Sequence, residues 1–161
     1  MKILLRSWLV VFMSASLLAC GFHLRGQADI PFESIHISGN TLVISKKLSR
    51  QLNTNGVKVV SSAEDAELQL EMVGEESEKR ILSLSGKGKV NEFELYYRVH
   101  YRTRVTGEAL WGQIQTVEAR RDYSYDDANL LAKQGEEARL NEDMQKDVLN
   151  GILRRLSSIK K

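Results

Sequence analysis

The sequence predicts an α+β fold, a two-layer sandwich in which two helices pack on one face of a mixed β-sheet with long antiparallel central strands. One observation is the alternation of apolar and polar side chains over Glu92–Val105, which is typical of a strand with one buried face. The other is the spacing of four between apolar residues in two segments, 41–55 and Glu136–Ser157, which predicts amphipathic helices. Elements with one apolar face bury that face against each other in layers.

The first half of the predicted domain combines short strands with one helix. Ser34–Gly39 alternates and predicts a strand, and residues 41–55 predict the first helix. Asn55-Gly56 ends that helix because glycine accepts a left-handed backbone at low cost. Val57–Val60 predicts a second strand, and Ala63–Ala66 a turn. The apolar stripe of the helix consists of Ile44, Leu48 and Leu52.

The next strand is predicted to begin near Glu67, but its pattern is interrupted. Alternation is lost over Gly74–Lys79 and returns at Ile81–Leu84. The acidic run Glu75–Glu78 is interpreted as a solvated strand end or a bulge. Ser85–Lys89 is rich in glycine and predicts a turn. The apolar face of the first part of this strand consists of Leu68, Leu70 and Met72.

The segment Glu92–Val105 predicts the central strand of the sheet. At about 3.3 Å per residue it would span roughly 45 Å, far longer than a usual strand. Phe93, Tyr97 and Tyr101 share its apolar face, so they are interpreted as core residues. The polar face includes Arg98, His100, Arg102 and Arg104, which strand alternation explains as a face toward solvent or toward a polar partner surface.

The C-terminal third predicts one more strand and helical structure. After a hairpin at Thr106–Glu108, Ala109–Tyr125 predicts a long strand with a slip near Gly112–Gln115 that suits a bulge. Trp111 within it suits either the core or a partner contact. Asp126-Asp127 is a good helix start. We expect a short helical turn over Ala128–Lys133, a bend or interruption at Gln134-Gly135, and then the long helix Glu136–Ser157. The stripe of this helix is Leu140, Met144, Val148, Leu149, Ile152, Leu153 and Leu156.

The N-terminus predicts export. Lys2 and Arg6 precede Ser7–Ala19, an apolar or small-residue run that is too short to span a membrane. Leu17-Leu18-Ala19-Cys20-Gly21 resembles a bacterial lipobox, so we expect residues 1–19 to be a signal peptide and Cys20 to be the lipid-attachment site. Its sulfur would carry diacylglycerol and its new amine an acyl chain such as palmitate. Cys20 is the only cysteine, so no intrachain disulfide competes with this use.

The predicted mature protein is one domain without bulk charge. Removing residues 1–19 from the 161-residue chain leaves 142 residues, enough for a single core. We expect a lipidated tether over residues 20–34 and the sandwich domain over residues 35–161. The chain has 23 basic and 21 acidic residues, but the signal peptide holds two basic and no acidic residues, so the mature charges cancel. Bulk attraction to nucleic acid is therefore excluded.

Enzyme motifs are lacking in the sequence. His23, His36 and His100 show no metal-ligand spacing, and neither a nucleophile elbow nor a phosphate-cradling loop occurs. We therefore predict a protein that is not an enzyme and has no cofactor beyond the N-acyl and S-diacylglycerol lipid on Cys20.

Two stretches resemble a known family. Cys20-Gly21-Phe22-His23-Leu24-Arg25-Gly26 is similar to the mature start of the LptE lipopolysaccharide-assembly lipoproteins, and Leu52-Asn53-Thr54-Asn55-Gly56-Val57 is similar to the family's junction after the first helix. The element order matches as well. The resemblance implies a non-enzymatic outer-membrane lipoprotein on the periplasmic side and in a barrel lumen. Its partners would be an LptD-type β-barrel, which it plugs and helps to assemble, and lipopolysaccharide.

The resemblance also implies which residues bind lipopolysaccharide. Lys87 and Lys89 lie on the glycine turn, and Lys133 lies at the start of the last helical region, where family members carry basic groups. Lysine binds phosphate as a point charge. Without the resemblance, three ordinary solvated lysines would be the simpler interpretation. The alternative function is another envelope-assembly or structural lipoprotein that binds a different membrane protein.

Overall fold

The computed structural model describes residues 30–40 and 42–159. The predicted signal peptide, Cys20 and the family motif that begins there lie outside the described residues. In chain order the described elements are β1 (Ser34–Gly39), α1 (Val43–Thr54), β2 (Lys58–Val60), β3 (Leu68–Leu84), β4 (Val90–Val105), β5 (Gln115–Ser124), a 3₁₀ turn (Asp127–Asn129) and α2 (Leu130–Ser157).

The strands form one mixed sheet in the order β2-β1-β3-β4-β5. β1 is parallel to both β2 and β3, whereas β4 is antiparallel to β3 and to β5. The parallel β1–β2 pair needs a crossover, and α1 supplies it. Both helices pack on the same face of the sheet, so the predicted α+β sandwich is confirmed.

The core lies between the sheet and the helices, as the periodicity predicted. The α1 stripe is fully buried, and so is the α2 stripe apart from the half-buried Leu140. Tyr97 and Tyr101 are buried in the core from β4, and Phe93 packs at its edge. The core also takes in Phe32, which is 2% exposed and lies within the segment predicted as tether.

The end of α1 follows the glycine prediction. Gly56 has φ +84° and donates its N–H to Asn53 O at 3.1 Å, while Val57 N donates to Leu52 O at 3.0 Å. These are the two hydrogen bonds of a Schellman motif. Leu42 at the N-cap position makes no side-chain cap hydrogen bond, and Glu75 of β3 caps the helix instead by accepting from Val43 N at 2.8 Å.

The interrupted pattern of β3 is a bulge in one continuous strand. Pairing with β4 shifts between Met72 and Gly74, so Val73 is the extra residue. A one-residue insertion exchanges the two faces of a strand. Even-numbered residues up to Met72 face the helices, whereas Glu75 and Lys79 do so afterwards, opposite Val99 and Leu95. The acidic run is thus interior to a strand, which corrects the prediction of a strand end.

Two other boundaries differ from prediction. The last strand starts at Gln115, not Ala109, because residues 109–114 form a loop whose backbone is tied to β4 by Gly112 N to Thr103 O at 2.9 Å. The final helix is continuous from Leu130 to Ser157, so the predicted interruption at Gln134-Gly135 is wrong. One helical glycine costs only about 1 kcal/mol, which packing of the long stripe outweighs.

Candidate functional site

The candidate site lies at the end of the sheet where β3 turns into β4, which we call the lysine end. Ser85–Lys89 forms the turn: Gly88 N donates to Ser85 O at 2.9 Å, and Ser85 N to Lys89 O at 2.7 Å. Gly88 has φ +74°, which a residue with a side chain adopts at a cost. The turn exposes Lys87 and Lys89 at its tip.

The two lysines on this turn differ in their surroundings. Lys89 Nζ lies 3.6 Å from an Asp127 carboxylate oxygen, and both side chains are largely exposed. Among the described residues, no side chain forms a hydrogen bond or ion pair with the Lys87 ammonium. An exposed ion pair contributes little to stability, so both ammonium groups are available to an external anion.

The start of α2 adjoins the turn. Tyr125 N donates to Asn91 O at 2.7 Å, which holds the chain leaving β5 beside the first residues of β4. Asp126 then caps the 3₁₀ turn by accepting from Ala128 N at 3.0 Å. That backbone hydrogen bond, helped by the Asn129 amide, lowers the pKa of Asp126. The sequence prediction of a helix start at Asp126-Asp127 is confirmed.

Lys133 is held at the same end of the molecule, but more firmly. Its side chain is 18% exposed, and its Nζ donates to Ser124 Oγ at 3.1 Å and to Glu136 Oε2 at 2.9 Å. The structure therefore brings Lys87, Lys89 and Lys133 to one end of the fold, although it gives them different freedom.

A cleft of about 470 Å³ opens beside Lys133, between α2 and the ends of the strands. Leu130 and Tyr125 line it together with a charged group that the sequence analysis did not identify. That group is Glu137, whose Oε2 accepts from Lys79 Nζ and from Tyr123 OH, each at 2.6 Å. Lys79 also lies 4.1 Å from the centre of the Phe93 ring, a cation–π contact.

The hydrogen-bonded side chains of Lys79, Tyr123 and Glu137, which line the cleft, shift one another's pKa values. Partial burial alone would raise the pKa of Glu137, but the hydrogen bonds from Lys79 and Tyr123 lower it. Partial burial would lower the pKa of Lys79, yet its hydrogen bond to Glu137 raises it. Burial and the same carboxylate raise the pKa of Tyr123. Both ionised partners are therefore kept in their charged states at neutral pH.

Apolar side chains are exposed around the same end. Leu131 is 83% exposed, and Leu130 beside it is 45% exposed at the cleft. Ile81, Leu82 and Leu84 near the tip of β3 are also exposed. Exposed apolar side chains from both β3 and α2 make this end of the fold a candidate binding surface. Cations and apolar groups together suit an amphiphile with anionic and hydrocarbon parts.

The arginine stripe of β4 lies on the opposite, helix-free face of the sheet and is paired there. Arg98 contacts Glu118 on β5 and Glu78 on β3, and Arg102 contacts Glu71. His100 Nε2 lies 3.4 Å from a Glu76 oxygen. Acidic side chains of β3 and β5 thus pair with the basic side chains of β4, so this face does not present an unpaired basic surface to a polyanion.

Among residues 30–40 and 42–159, no group of three or more His, Cys, Asp or Glu side chains is arranged to hold a metal ion. No helix in this part of the chain is long and apolar enough to cross a membrane.

Comparisons with known proteins agree with the fold and with the resemblance. The family model described as LptE, lipopolysaccharide-assembly, matches residues 32–156. The LPS-assembly lipoprotein LptE of Photorhabdus laumondii is 25% identical over 146 residues, which cover 87% of this chain and 78% of that protein.

Two solved structures are similar over most of their length. An uncharacterized lipoprotein B from Nitrosomonas europaea is 42% identical with a TM-score of 0.75, covering 86% of this chain and 91% of its own. The rare lipoprotein B from Shewanella oneidensis is 29% identical with a TM-score of 0.69, covering 78% of this chain and 94% of its own. Since the matched family model spans most of the sequence, the chain belongs to the LptE lipopolysaccharide-assembly family.

Proposed function

We propose that this protein is a lipid-anchored outer-membrane lipoprotein that binds an LptD-type β-barrel as its plug and assembly partner and binds lipopolysaccharide during delivery to the cell surface. The anchor is Cys20, carrying S-diacylglycerol and an N-acyl chain. The single observation that carries the lipopolysaccharide part is the lysine end, where the exposed Lys87 and Lys89 lie at the same end as exposed apolar side chains on a chain of the LptE family.

The chemistry of lipopolysaccharide matches this surface. Its lipid A part carries phosphates on a sugar backbone and several acyl chains. Lys87 can meet a phosphate without giving up a partner, and Lys89 gives up only the distant, exposed Asp127 carboxylate. Leu131 is placed to contact an acyl chain because most of its side chain is exposed. Lys133 would contribute from the cleft wall, where its charge is already shared with Glu136.

The central part of the helix-free face, around Arg98 and Glu118, suits the wall of a barrel. Large barrels have polar interiors, and a face of paired charges can lie against such a wall without leaving an unpaired buried charge. Residues such as Arg98 and Glu118 satisfy each other across the strands before any partner arrives. Neither part of the proposed role includes a catalytic step or a resident cofactor.

Lipopolysaccharide binding is tested by charge reversal on the turn. The variant Lys87→Glu with Lys89→Glu should bind purified lipopolysaccharide roughly tenfold more weakly or worse, since charge-assisted contacts to phosphate are replaced by repulsion. The matched control is Lys46→Glu with Lys58→Glu, which makes the same charge change on exposed positions of α1 and β2. Equal affinity of the two variants would remove the turn from the binding site.

Lys133 needs a separate test because its side chain is structural as well as basic. Lys133→Gln should weaken binding less than the turn variant, since its Nζ already shares its charge with Glu136 and Ser124. Lys146→Gln is the control, as that lysine also pairs three residues away on α2. If both glutamine variants bind like the parent, Lys133 does not contact the ligand.

The barrel partner is tested by copurification from detergent-extracted outer membrane. The proposal expects a stable LptD-type barrel with the tagged full-length protein. Recovery of a different membrane protein in its place would favour the alternative, another envelope-assembly or structural lipoprotein. Mass spectrometry of the same material should find Cys20 as the acylated N-terminal residue, and an intact Met1 with a free thiol would refute the anchor.

A further inference from the structure

The end of the sheet opposite the lysine end carries an exposed apolar loop. We call this the loop end; it consists of residues 106–114 between β4 and β5. Leu110 is 81% exposed and Ile114 is 57% exposed. Trp111 between them lies against two guanidinium groups of β4, with Arg102 at 5.0 Å and Arg104 at 4.7 Å from its ring. The loop therefore presents a supported aromatic ring between two apolar side chains.

The N-terminal segment enters the fold at this same end. Ile35 at the start of β1 pairs with Leu68, and Leu68 pairs with Val105, the last residue of β4. Ten residues, Cys20 to Asp29, separate the proposed anchor from the described chain. Ten residues reach at most about 35 Å when fully extended. An acylated Cys20 thus keeps the membrane within that distance of Ile30.

We propose that the loop end inserts Leu110, Trp111 and Ile114 into a zwitterionic phospholipid surface beside the acylated cysteine. This inference rests on the anchor at Cys20, which is part of the proposed function. The acyl chains on Cys20 would hold the protein at the bilayer but would not fix its orientation, which a second contact through this loop would do. Tryptophan flanked by aliphatic residues favours the boundary between headgroups and hydrocarbon.

The charges around the loop select the lipid class. Arg102 contacts Glu71, and Arg104 donates to Gln69 Oε1 at 2.7 Å, so both cations behind the tryptophan ring have partners in the protein. Glu108 stands exposed on the turn itself and would be repelled by an anionic surface. A neutral, zwitterionic headgroup layer matches this balance better than an anionic one.

Such a contact would also orient the molecule. β4 runs from Val90 at the lysine end to Val105 at the loop end, a length of about 50 Å at 3.3 Å per residue. With the loop end in the headgroup layer, the lysine end would point away from the anchoring leaflet. The glycolipid site would then be presented at a distance from the phospholipids that surround the anchor.

Intrinsic fluorescence can test the contact directly. The chain has two tryptophans, Trp8 in the predicted signal peptide and Trp111, so the mature lipoprotein reports on Trp111 alone. The purified mature lipoprotein is reconstituted in phosphatidylcholine vesicles with or without dibrominated acyl chains, which quench at short range. We expect the brominated lipid to reduce Trp111 emission to about half or less, because interfacial insertion places the ring about 5–10 Å deep.

Two variants make the readout specific. Leu110→Ser with Ile114→Ser should lose most of the quenching while the protein still floats with the vesicles on its acyl chains. Trp111→Phe with Leu131→Trp moves the tryptophan to the exposed position at the lysine end and should show little quenching. Equal quenching at the two ends would overturn the proposed orientation.

The remaining outcomes separate this inference from the anchor. A lipoprotein that floats with vesicles but leaves Trp111 unquenched keeps the anchor and overturns the loop contact. If the purified lipoprotein does not float with the vesicles, the proposed anchor at Cys20 is refuted, and the loop contact that rests on it is refuted as well. Shielding of Trp111 from aqueous iodide only in the copurified barrel complex would assign the loop to a protein partner, and a blue shift that grows with protein concentration without lipid would assign it to a second copy. Either result would overturn the phospholipid contact.

Discussion

Gly151 sets how closely α2 approaches the sheet, and its replacement by alanine tests that packing. A Cβ atom at position 151 would lie 2.6 Å from Val117 Cγ1 on β5. Nonbonded carbon atoms prefer 3.5–4.0 Å, so the contact is short by about 1 Å. Gly135 occupies the same helix, and a Cβ there would meet no atom within 4 Å. The two glycines therefore form a matched pair with and without a steric contact.

The expected free energies of unfolding follow from two opposing effects. Alanine is favoured over glycine in a helix by about 1 kcal/mol, at either position. Gly135→Ala should therefore stabilise the protein by up to about 1 kcal/mol. Forcing a methyl group into a packed interface costs about 1–3 kcal/mol, and Val117 is buried and β-branched, so it has few ways to move. Gly151→Ala should thus be about 1–3 kcal/mol less stable than Gly135→Ala.

Urea unfolding of the mature chain, followed by circular dichroism, measures the difference. A second arm introduces Gly151→Ala into a Val117→Ala background, where the clashing Cγ1 atom is gone. In that background Gly151→Ala should destabilise the protein less than it does beside Val117. The double variant should therefore be more stable than the sum of the two single effects predicts. If the two glycine variants agree within about 0.5 kcal/mol, the helix does not contact the sheet as closely as described.

Two further predictions concern carboxylates on the helix side of the sheet. The pKa of Glu137 lies below its ordinary value of 4.5 in the folded state, so its stabilising contribution is complete above pH 4.5 and is lost as the pH falls through the folded value. Glu137→Gln should lower stability at pH 7 and weaken the acid-side pH dependence, as urea midpoints at several pH values will tell. Glu75→Ala removes the acceptor of both Val43 N and Tyr97 OH and should cost about 1–3 kcal/mol. Glu76→Ala on the exposed face should change stability by less than about 0.5 kcal/mol in the same assay, and equal losses would argue against the cap.

Periodicity predicted those parts of the fold that repeat regularly along the chain. The α1 stripe and the alternation of β4 each predict one buried face, and the apolar side chains of those faces lie in the core or pack against it. The alternation of β3 is lost at Val73, because one extra residue exchanges the faces of the strand. Even-numbered residues face the helices before the bulge, and odd-numbered residues face them after it. A bulge is fixed by pairing with a neighbouring strand, so a single sequence marks its presence only as lost alternation.

The sequence predicted the turn that carries two of the candidate lysines, but not how the charged groups near it pair. The glycine-rich composition of Ser85–Lys89 predicted a turn, and the family resemblance pointed to Lys87 and Lys89 on it. Lys79 was passed over because it lies in the stretch without alternation, and its partner Glu137 is 58 residues further along the chain. Such a pair depends on how α2 crosses the strands, which no local spacing encodes.

The length of the central strands gains a physical explanation from the two proposals taken together. A sheet of ordinary strand length, five or six residues, would span only about 20 Å. β3 with 17 residues and β4 with 16 residues separate an end suited to phosphates and acyl chains from an end suited to a phospholipid surface. Strands of that length expose many charged side chains on the helix-free face. Ion pairs between neighbouring strands neutralise much of that charge within the sheet. A variant in which β3 and β4 are shortened but the turn with Lys87 and Lys89 is kept should still bind lipopolysaccharide in solution. It should bind the barrel less well, because the lysine turn would no longer reach as far into the lumen.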